Sequence, residues 1–539
     1  MPLKRLPTLT SSGTILLLSY FGLTMLKFNN RYLDNLPADS SKDNVSRQVE
    51  NAAYSFVAPK KTSSPKLIIK SGPVSNMLGL DLDDDELATI FTGNELLHGM
   101  QPYAMNYGGH QFGHWAGQLG DGRAINLGQV ETEKYGNLTV QLKGAGPTPY
   151  SRHADGFAVL RSSVREFLCS EAMHGLGIPT TRALSLCLTG DKVVRDMFYD
   201  GNPQEELGAV VCRVSPSFMR FGVFQLPASR GDIDLLRQLV DHCIVHDYSH
   251  LGEPSKEVYI QWFAEVCDRT CDLIIEWMRV GFVHGVLNTD NMSIIGETID
   301  YGPYGWIDNF DLNWTPNTTD AQGKRYAFGA QPEIGQWNLF QLANAIFPLV
   351  EDAQPLQDIL NGYATRYKLG WNKMMAAKLG LSAFEGQQDT ELFIELEELL
   401  SAVPTDMTIF YRLLATEQLP DSVESYFAPA FYQASVDAKH IQLLEKWLKK
   451  YFERVEQDNL DTQYRMESMN KVNPKFVLRN YLSQQAIELA EKGDYSMIHD
   501  LLKVMSAPYS EQPEFESFAQ KRPKWAENKA GCSMLSCSS

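Results

Sequence analysis

The segment HGVLNTDNMSIIGETIDYGPYGWID, residues 284–308, decides the fold of this 539-residue chain. His284 opens it, Asp290-Asn291 lies in its middle, and Asp300-Tyr301-Gly302 begins its second half. Carboxylate and amide oxygens are the ligands that Mg²⁺ prefers in proteins, but the same residue types are also common in turns. The segments on either side therefore decide between a metal site and a turn.

This segment matches most of the protein-kinase catalytic-loop pattern, H-R-D-L-x-x-x-N followed by D-F-G. Leu287, Asn291 and Asp300 stand at the template's leucine and its two metal-binding residues, but Val286 stands where the template has its catalytic aspartate. A valine cannot accept a proton. Asp290, beside Asn291, is a second carboxylate that is available as a base.

The residues before the loop predict a long buried helix. Apolar side chains recur at i, i+3 and i+4 spacing over residues 257–280, and this pattern leads straight into the loop. From residue 333 to the C-terminus, helical periodicity dominates. A long buried helix before the loop and D-Y-G after it favour the metal site over the turn.

The N-terminal half predicts a smaller lobe built on strands. Its most informative part is a glycine-dense block at residues 107–130, which runs through a polar turn into a β-branched alternation that ends at Lys143. The predicted elements, in chain order, are a helix at residues 81–97, a strand at residues 138–142, a helix at residues 164–175 capped by Ser162-Ser163, and strands around residues 183–188 and 209–214.

This order of elements predicts an α+β, protein-kinase-like two-lobed fold, with a small β-rich N-lobe, a large helical C-lobe and extensions at both ends. The predicted divisions are a mitochondrial transit peptide at residues 1–27, an N-terminal extension packed on the kinase core at residues 28–100, the N-lobe at residues 101–230, the C-lobe at residues 231–430, and a C-terminal helical extension with a cysteine-containing tail at residues 431–539.

Transfer of a phosphoryl or nucleotidyl group needs cations on the phosphates and oxygen ligands for magnesium. Lys143, at the end of a predicted strand, has the context of the kinase lysine that pairs with a helix glutamate, and Glu166 is its predicted partner. An ordinary surface lysine and glutamate are the alternative. The order of glycine block, Lys143 and metal-binding loop along the chain favours the functional interpretation.

Further candidates are glycines and arginines. Gly120, Gly122 and Arg123 in QLGDGR could bring backbone N–H groups and a guanidinium against phosphates, although G-x-G alone is usually a hairpin turn. Arg213 and Arg220 could both reach a polyphosphate, although either one singly is more often a surface charge. The residues alone predict a nucleotide and Mg²⁺ site with a displaced base, and they leave the reaction open.

Composition limits the partners and the compartment. With 48 Lys and Arg against 66 Asp and Glu, the net charge of −18 repels polyanions, so nucleic acid is not an expected partner. Residues 1–27 contain basic residues and no acidic one, which is typical of a mitochondrial transit peptide, with a secretory signal as the alternative. The apolar run at residues 15–26 is too short to span a bilayer, so no stable membrane span is predicted. Eight scattered cysteines weigh against a secreted disulfide scaffold.

Four long signatures carry a more specific resemblance than the kinase pattern. They are YGGHQFGHWAGQLGDGRA, QLKGAGPTPYSRHADG, HGVLNTDNMSI and TIDYGPYGW. On these residues the chain resembles the selenoprotein O family, pseudokinases that act as protein adenylyltransferases, from about residue 33 to its last residues. The resemblance implies that ATP binds in an orientation flipped relative to kinases, so that the α-phosphate faces the acceptor and AMP is transferred to a Ser, Thr or Tyr hydroxyl of a protein.

The resemblance also implies roles for residues of this chain. It implies that Asp290 accepts the proton and that Asn291 and Asp300 hold Mg²⁺, or Mn²⁺ in its place. It implies that Glu166 pairs with Lys143. The implied nucleotide contacts are Gly120, Gly122, Arg123, Lys143, Asp155, Gly156, Arg213, Arg220 and Asp300. Asp155-Gly156 gains this role from the resemblance alone, and the preference between ATP and UTP is not visible in the sequence.

The tail carries Cys537 where many animal members of the family have selenocysteine. Cys532 and Cys537 are a candidate redox pair, and two free thiols are the alternative. No cysteine lies between Cys271 and Cys532, so the activation-segment disulfide proposed for redox control in some relatives is in doubt here.

Two other functions stay open at this level. An ordinary phosphotransferase would use Asp290 as a shifted base, and a nucleotide-binding scaffold would bind ATP without turnover. Val286 disfavours the first, because the usual base is missing. The joint presence of Lys143, Glu166 and the pair Asn291 and Asp300 disfavours the second, because a binding module needs no magnesium pair.

Overall fold

The computed structural model describes residues 26–197 and 200–536. All but the last two residues of the predicted transit peptide lie outside this part, as does Cys537. None of the helices in the described residues combines the length and apolar character that crossing a bilayer requires.

The described residues contain twelve strands and sixteen α-helices. The strands are β1 Tyr54–Phe56, β2 Lys66–Lys70, β3 Tyr103–Met105, β4 Gly108–Gln111, β5 His114–Gln118, β6 Ala124–Thr132, β7 Gly136–Lys143, β8 Ala158–Val159, β9 Arg182–Arg195, β10 Gln204–Ser215, β11 Phe282–Val283 and β12 Gly305–Trp306. The helices are α1 Arg31–Asn35, α2 Gly72–Leu78, α3 Asp84–Phe91, α4 Leu160–Gly175, α5 Phe221–Arg230, α6 Ile233–Asp247, α7 Lys256–Val280, α8 Gln331–Val350, α9 Ala353–Lys378, α10 Gln387–Ala402, α11 Met407–Leu413, α12 Val423–Phe427, α13 Ala438–Gln457, α14 Thr462–Val472, α15 Asn480–Ala490 and α16 Ser496–Met505.

An antiparallel sheet of eight strands forms the smaller lobe. Its strands lie in the order β1-β3-β6-β7-β10-β9-β2, and the short β8 pairs with β10. The hairpin of β4 and β5 stands apart from this sheet, and β11 pairs with β12 in the other lobe. Helices dominate the chain after β10, so the predicted α+β, kinase-like two-lobed architecture is confirmed, while the residue limits of the divisions stay predictions.

The predicted strands are found, and each is longer than its sequence pattern. Residues 138–142 lie in β7, residues 183–188 in β9 and residues 209–214 in β10. The predicted long helix is α7, which Ser255 caps with its side chain and Gly281 ends in the left-handed conformation.

Two predicted helices begin or end elsewhere. The helix expected at residues 81–97 covers only α3, which Asp83 and Glu86 start with reciprocal side-chain caps. The cap predicted at Ser162-Ser163 is wrong, because α4 already begins at Leu160. The chain enters α4 directly from β8, whose pairing with β10 fixes where the helix starts.

Because side chains alternate between the two faces of a strand, alternate residues of β7 and β10 face α4. Cys212 of β10 packs in the hydrophobic cluster formed with α2 and α3, whereas Val211 packs in the cluster on the α4 side. Arg213 lies on the same face as Val211, and Lys143 of β7 lies directly opposite Val211 in the register. The sheet therefore presents two cations to the helix that carries Glu166.

Candidate active site

A cavity of about 650 Å³ lies between the sheet and the loop of residues 284–308. Asp290 and Asn291 line it. The residues predicted as nucleotide contacts that also line it are Gly120, Gly122, Arg123, Lys143, Asp155, Gly156, Arg213, Arg220 and Asp300. The structure thus brings together residues from five separate parts of the chain.

The loop is held at both ends by the pairing of β11 with β12. His284, directly after β11, is buried, and its Nε2 lies 2.9 Å from the carbonyl oxygen of Ile299. The His284 backbone N–H donates to Oε1 of Gln331 at 3.0 Å. His284 therefore joins the start of the loop to the residue before Asp300 and to α8.

Asp290 has a buried carboxyl group, of which one oxygen accepts a hydrogen bond and the other has no partner among the described residues. It lies in the short 3-10 helix Thr289–Asn291, where Gln111 donates from Nε2 to Oδ2 at 3.1 Å. Oδ1 has no hydrogen-bond partner among the described residues. Burial raises the pKa of the Asp290 carboxyl to about 6, although the Gln111 bond acts in the opposite direction. A carboxylate with this pKa and a free oxygen is suited to accept a proton near neutral pH.

The β4–β5 hairpin lies directly on the loop that carries Asp290. The backbone N–H of His110 donates to Oγ1 of Thr289 at 2.7 Å, and the backbone N–H of Phe112 donates to Oδ1 of Asn288 at 3.2 Å. The sequence predicted a glycine block here but not this contact, because the bonded residues lie 179 and 176 positions apart.

Gly109 in this hairpin is required for close approach to the base. A Cβ at Gly109 would lie 2.7 Å from Oδ1 of Asp290, so no other residue fits without displacing the carboxylate. Gln111 and Asn288 are site residues that the sequence analysis missed. Their only signal was their place inside the long signatures, since an amide without a charge partner predicts no specific chemistry.

Asp300 is fixed by two arginines. Nη1 of Arg213 donates to Oδ1 at 2.6 Å, and Nη1 of Arg220 donates to Oδ2. Burial alone would raise the pKa of the Asp300 carboxyl, but Arg220, Arg213 and Lys143 together hold it well below its usual range. The backbone of Asp300 has a φ of 59°, a conformation that is rare outside glycine and concentrated at functional sites. Asp300 is therefore an ionised carboxylate whose position is fixed by Arg213 and Arg220.

Arg220 connects the two acidic positions of the site. Besides Asp300, it donates from Nη1 to the backbone carbonyl oxygen of Asp290 at 3.0 Å and to the hydroxyl of Tyr107 at 3.2 Å. Oδ1 of Asp121 lies 4.0 Å from its Nη2. Asp121 also lines the cavity and was not predicted, although an acidic residue between two glycines in QLGDGR was an available signal.

The predicted ion pair of Lys143 and Glu166 is present. Nζ of Lys143 donates to Oε2 of Glu166, and Nη1 of Arg213 donates to Oε1 of the same carboxylate at 2.9 Å. Burial lowers the pKa of Lys143 to about 8, with Glu166 acting in the opposite direction. One buried glutamate on α4 therefore positions two cations at the cavity wall.

Gly120 and Gly122 shape the cavity rather than offer free N–H groups. The Gly120 N–H donates to the carbonyl oxygen of Tyr107 at 3.0 Å, and the Gly122 N–H donates to that of Gly120 at 2.9 Å. A Cβ at Gly120 would lie 2.3 Å from the ring of Tyr150. The backbone N–H groups expected to face a phosphate already donate to the carbonyl oxygens of Tyr107 and Gly120, so Arg123 is the member of this trio that offers a charge to the cavity.

Asp155 and Gly156 line the cavity where β9 meets it. Arg195 donates to both carboxylate oxygens of Asp155, at 2.8 and 2.7 Å. Gly156 has a φ of +76°, and a Cβ there would lie 2.3 Å from the carbonyl oxygen of Gly146. Arg195, a cation that the sequence analysis did not single out, therefore holds Asp155 in place and also lines the cavity.

The donor set at the predicted metal pair fits a small oxygen-seeking cation. Among the described residues, no three His, Cys, Asp or Glu side chains are arranged to hold a metal ion. Asn291 donates from Nδ2 to the carbonyl oxygen of Val286 at 2.8 Å, which leaves its Oδ1 as an acceptor beside the cavity. Each carboxylate oxygen of Asp300 can accept a second partner besides its arginine. Mg²⁺ is usually bound by one or two such protein groups together with substrate phosphates.

Cys532 lies in a protected position. It is buried, and burial raises the pKa of its thiol to about 11. Only the thiolate reacts readily, so this thiol is unreactive near neutral pH. Cys537 lies outside the described residues, and the predicted redox pair stays a prediction.

Comparison with known proteins gives matches over nearly the whole chain. The family model described as protein adenylyltransferase SelO matches residues 41–506. The protein nucleotidyltransferase YdiU of Rhodopirellula baltica is 54% identical over 536 residues, covering 95% of this chain and 99% of that protein. The proteins of the same name from Azoarcus sp. and Flavobacterium johnsoniae are 55% and 51% identical, each covering 95% of this chain and 99% of the relative. The residues matched by the family model include every residue named above as lining the cavity.

Proposed function

The chain belongs to the SelO family of protein adenylyltransferases, and from this premise we propose that it transfers AMP from ATP to Ser, Thr or Tyr hydroxyl groups of acceptor proteins. The acceptor oxygen forms a bond to the α-phosphorus, and the bond from that phosphorus to the bridging oxygen of the β-phosphate breaks. Pyrophosphate leaves, and the hydroxyl proton passes to a carboxylate of the protein.

The observation that carries this proposal is the state of Asp290. Its Oδ1 is buried in the cavity without a partner, and its pKa of about 6 makes it a carboxylate at neutral pH that can still accept a proton. Gln111 and the Arg220 contact to its backbone hold it in place. Asp290 is the proposed proton acceptor.

The proposed orientation of ATP follows from the position of this base. Val286 lines the cavity where a kinase has its catalytic aspartate, so the acceptor hydroxyl cannot be activated there. We place the α-phosphate, rather than the γ-phosphate, beside Asp290, which is the flipped orientation that the family resemblance implies. In this sense the chain is a pseudokinase that keeps a different activity.

Basic side chains would offset the charge that develops on the phosphates. Lys143, Arg213 and Arg220 are fixed by Glu166 and Asp300, and Arg123 lines the same cavity. Such groups stabilise a transition state because they are already oriented before the reaction begins. The triphosphate is the only part of ATP that needs this much positive charge, so we place it along this wall.

Asn291 and Asp300 are the proposed ligands of Mg²⁺, or of Mn²⁺ in its place. A bound ion would neutralise charge on the phosphate oxygens and help to orient them. The chain's own contribution is that Arg213 and Arg220 keep Asp300 ionised throughout the physiological pH range, as the lowered pKa of this carboxyl requires.

The substitution Asp290→Asn tests the assignment of the base. We expect it to abolish AMP transfer while ATP still raises the unfolding temperature, because the substitution removes the proton acceptor and keeps the cations. Asp358→Asn, at an exposed position of α9, is the matched control and should change neither property. Full transfer activity in Asp290→Asn would overturn the assignment.

We also propose that the protein acts in mitochondria. The support is the composition of residues 1–27, which contain Lys4, Arg5 and Lys27, several Ser and Thr, and no acidic residue. A reporter fused to residues 1–40 should enter mitochondria, and a fusion that stays in the cytosol would overturn this location.

A further inference from the structure

An apolar groove of about 590 Å³ lies between α8 and α9 on the helical lobe. Phe340 and Phe347 of α8 line it, with Leu356 and Leu360 of α9 on the other side. Phe340 is 49% exposed and Phe347 is 44% exposed. Single exposed apolar residues are ordinary, but aromatic rings grouped along one concave surface mark a binding surface.

The groove begins beside the candidate active site. Trp337, at its near end, places its ring centroid 5.5 Å from that of His110 in the β4–β5 hairpin. His110 is hydrogen-bonded to Thr289, the residue before Asp290. The hairpin therefore lies between the groove and the proposed base.

Helix α8 leads the groove away from the loop. Its near half is fixed under the loop, since Asn338 donates from Nδ2 to the carbonyl oxygen of Leu287 at 2.9 Å. At 1.5 Å per residue, the helix carries the groove roughly 15 Å from Trp337 to Phe347. An extended chain covers that distance in about four or five residues.

Arg325 adds a positive charge at the junction of groove and site. Its guanidinium carbon lies 4.6 Å from the ring centroid of Trp337, and the residue is partly exposed. A carboxylate on a bound chain would complement this guanidinium, which is fixed against an aromatic face.

We propose that this groove binds the acceptor protein. The segment that fits has an acidic residue near the modified hydroxyl, and this acidic residue contacts Arg325. About four or five residues beyond the acidic residue, an aromatic or aliphatic side chain packs on Phe340 and Phe347. The proposal rests on the proposed AMP transfer, because the acceptor hydroxyl has to reach Asp290. One extended segment contacts both places, whereas a second copy of this chain seated on the groove alone would leave the site without an acceptor.

The test measures AMP transfer to synthetic peptides with a central Ser, Thr or Tyr, in which the flanking positions are varied among Asp, Lys, Phe and Gly. Self-labelling of the enzyme is recorded in the same reactions. The variants are Arg325→Gln and the double variant Phe340→Ser with Phe347→Ser. Tyr464→Ser, which changes a 60% exposed aromatic on α14, is the matched control.

We expect the wild-type protein to prefer peptides with Asp beside the hydroxyl and Phe farther along. The Phe340→Ser and Phe347→Ser pair should raise KM for such peptides at least about fivefold, as the loss of apolar burial predicts, with kcat and the KM for ATP unchanged. Arg325→Gln should remove the preference for Asp, and Tyr464→Ser should behave as wild type.

Two results contradict the proposal in distinguishable ways. Unchanged peptide KM and unchanged preferences in both groove variants, with transfer intact, would overturn the groove and leave AMP transfer standing. Absence of label on both peptides and enzyme in the wild-type protein would overturn the transfer reaction, and the groove with it.

Discussion

At the scale of single residues, the proposed base lies at a different position of the loop from the catalytic aspartate of a kinase. Val286 removes the proton acceptor from its usual place in a kinase loop, and Asp290 supplies one four positions later in the chain. The two positions are not equivalent, because Asp290 is held from three sides by Gln111, Arg220 and the close approach of Gly109. The chemistry of the site therefore depends on neighbours as much as on the acid itself.

The pKa of Asp290 predicts how activity depends on pH. A proton acceptor works only in its deprotonated form, so activity should be retained above pH 6 and lost as the pH falls through about 6, the value to which burial raises this pKa. The measurement is kcat for AMP transfer between about pH 5 and pH 8 at saturating ATP and acceptor. A profile that stays flat down to pH 5 would contradict the assignment.

Gln111 is predicted to hold the Asp290 carboxylate in position and to lower its pKa. Its hydrogen bond lowers the pKa of Asp290 against the effect of burial, so Gln111→Leu should move the acidic limb of the kcat profile to higher pH. The KM for ATP should stay unchanged. The exposed Gln101→Leu serves as the control, and an unshifted profile in Gln111→Leu would show that the hydrogen bond has no part in catalysis.

The charged residues that stand in a known motif were predictable from the sequence, whereas the amide Gln111 and the charged residues Asp121 and Arg195 were not. Lys143, Glu166 and Asp300 stand in the order of a known pattern, and a carboxylate beside Asn291 was the natural alternative base. Gln111 acts only through a contact across 179 positions of chain, so no local pattern could indicate it. The N–H groups of Gly120 and Gly122 were expected to face a phosphate, but both already donate to backbone carbonyl oxygens.

At the scale of secondary-structure elements, the sheet supplies two buried cations and α4 supplies the carboxylate that fixes them. The period of two along β7 and β10 places Lys143 and Arg213 on the face that meets Glu166. That period was visible in the sequence of residues 138–142, and β7 was predicted for this reason. The start of α4 was not, because β8 fixes it through a pairing of only two residues.

Removal of the α4 carboxylate should weaken both stability and nucleotide binding. Glu166→Gln leaves Lys143 and Arg213 buried with less compensation, and loss of one member of a buried ion pair costs on the order of 3 kcal/mol. Urea unfolding should report this loss, and titration calorimetry should report weaker ATP binding. Glu398→Gln, on the exposed side of α10, is the control. Equal stability of Glu166→Gln and wild type would contradict the account of this network.

The β4–β5 hairpin should act on the base through Gly109. Gly109→Ala brings a methyl group to 2.7 Å from Oδ1 of Asp290, so we expect a large loss of kcat while ATP binding persists. Gly72→Ala is the control, because a Cβ there meets nothing within 4 Å. Wild-type kcat in Gly109→Ala would contradict the close contact between Gly109 and the Asp290 carboxylate.

At the scale of the whole molecule, the candidate site lies where ion pairs connect the two lobes. Asp300 of the helical lobe accepts from Arg213 of the sheet and from Arg220, and Arg220 also donates to the backbone carbonyl oxygen of Asp290. Helix α16 packs on α4, the helix that carries Glu166, so closely that a Cβ at Gly175 would lie 1.9 Å from the carbonyl oxygen of Met505. The sequence predicted two lobes and a helical extension, but long-range packing of this kind has no local signature.

The most direct test of the account compares label transfer from α-labelled and γ-labelled ATP to acceptor proteins, with Asp300→Ala as the control. We expect incorporation of the α label alone, lost in Asp300→Ala, because we place the α-phosphate beside Asp290 and assign Asp300 to the phosphate site. Incorporation of the γ label would mean an ordinary phosphotransferase that works without an aspartate at position 286. ATP binding with neither label transferred would mean a scaffold, and either result would contradict AMP transfer as the function of this site.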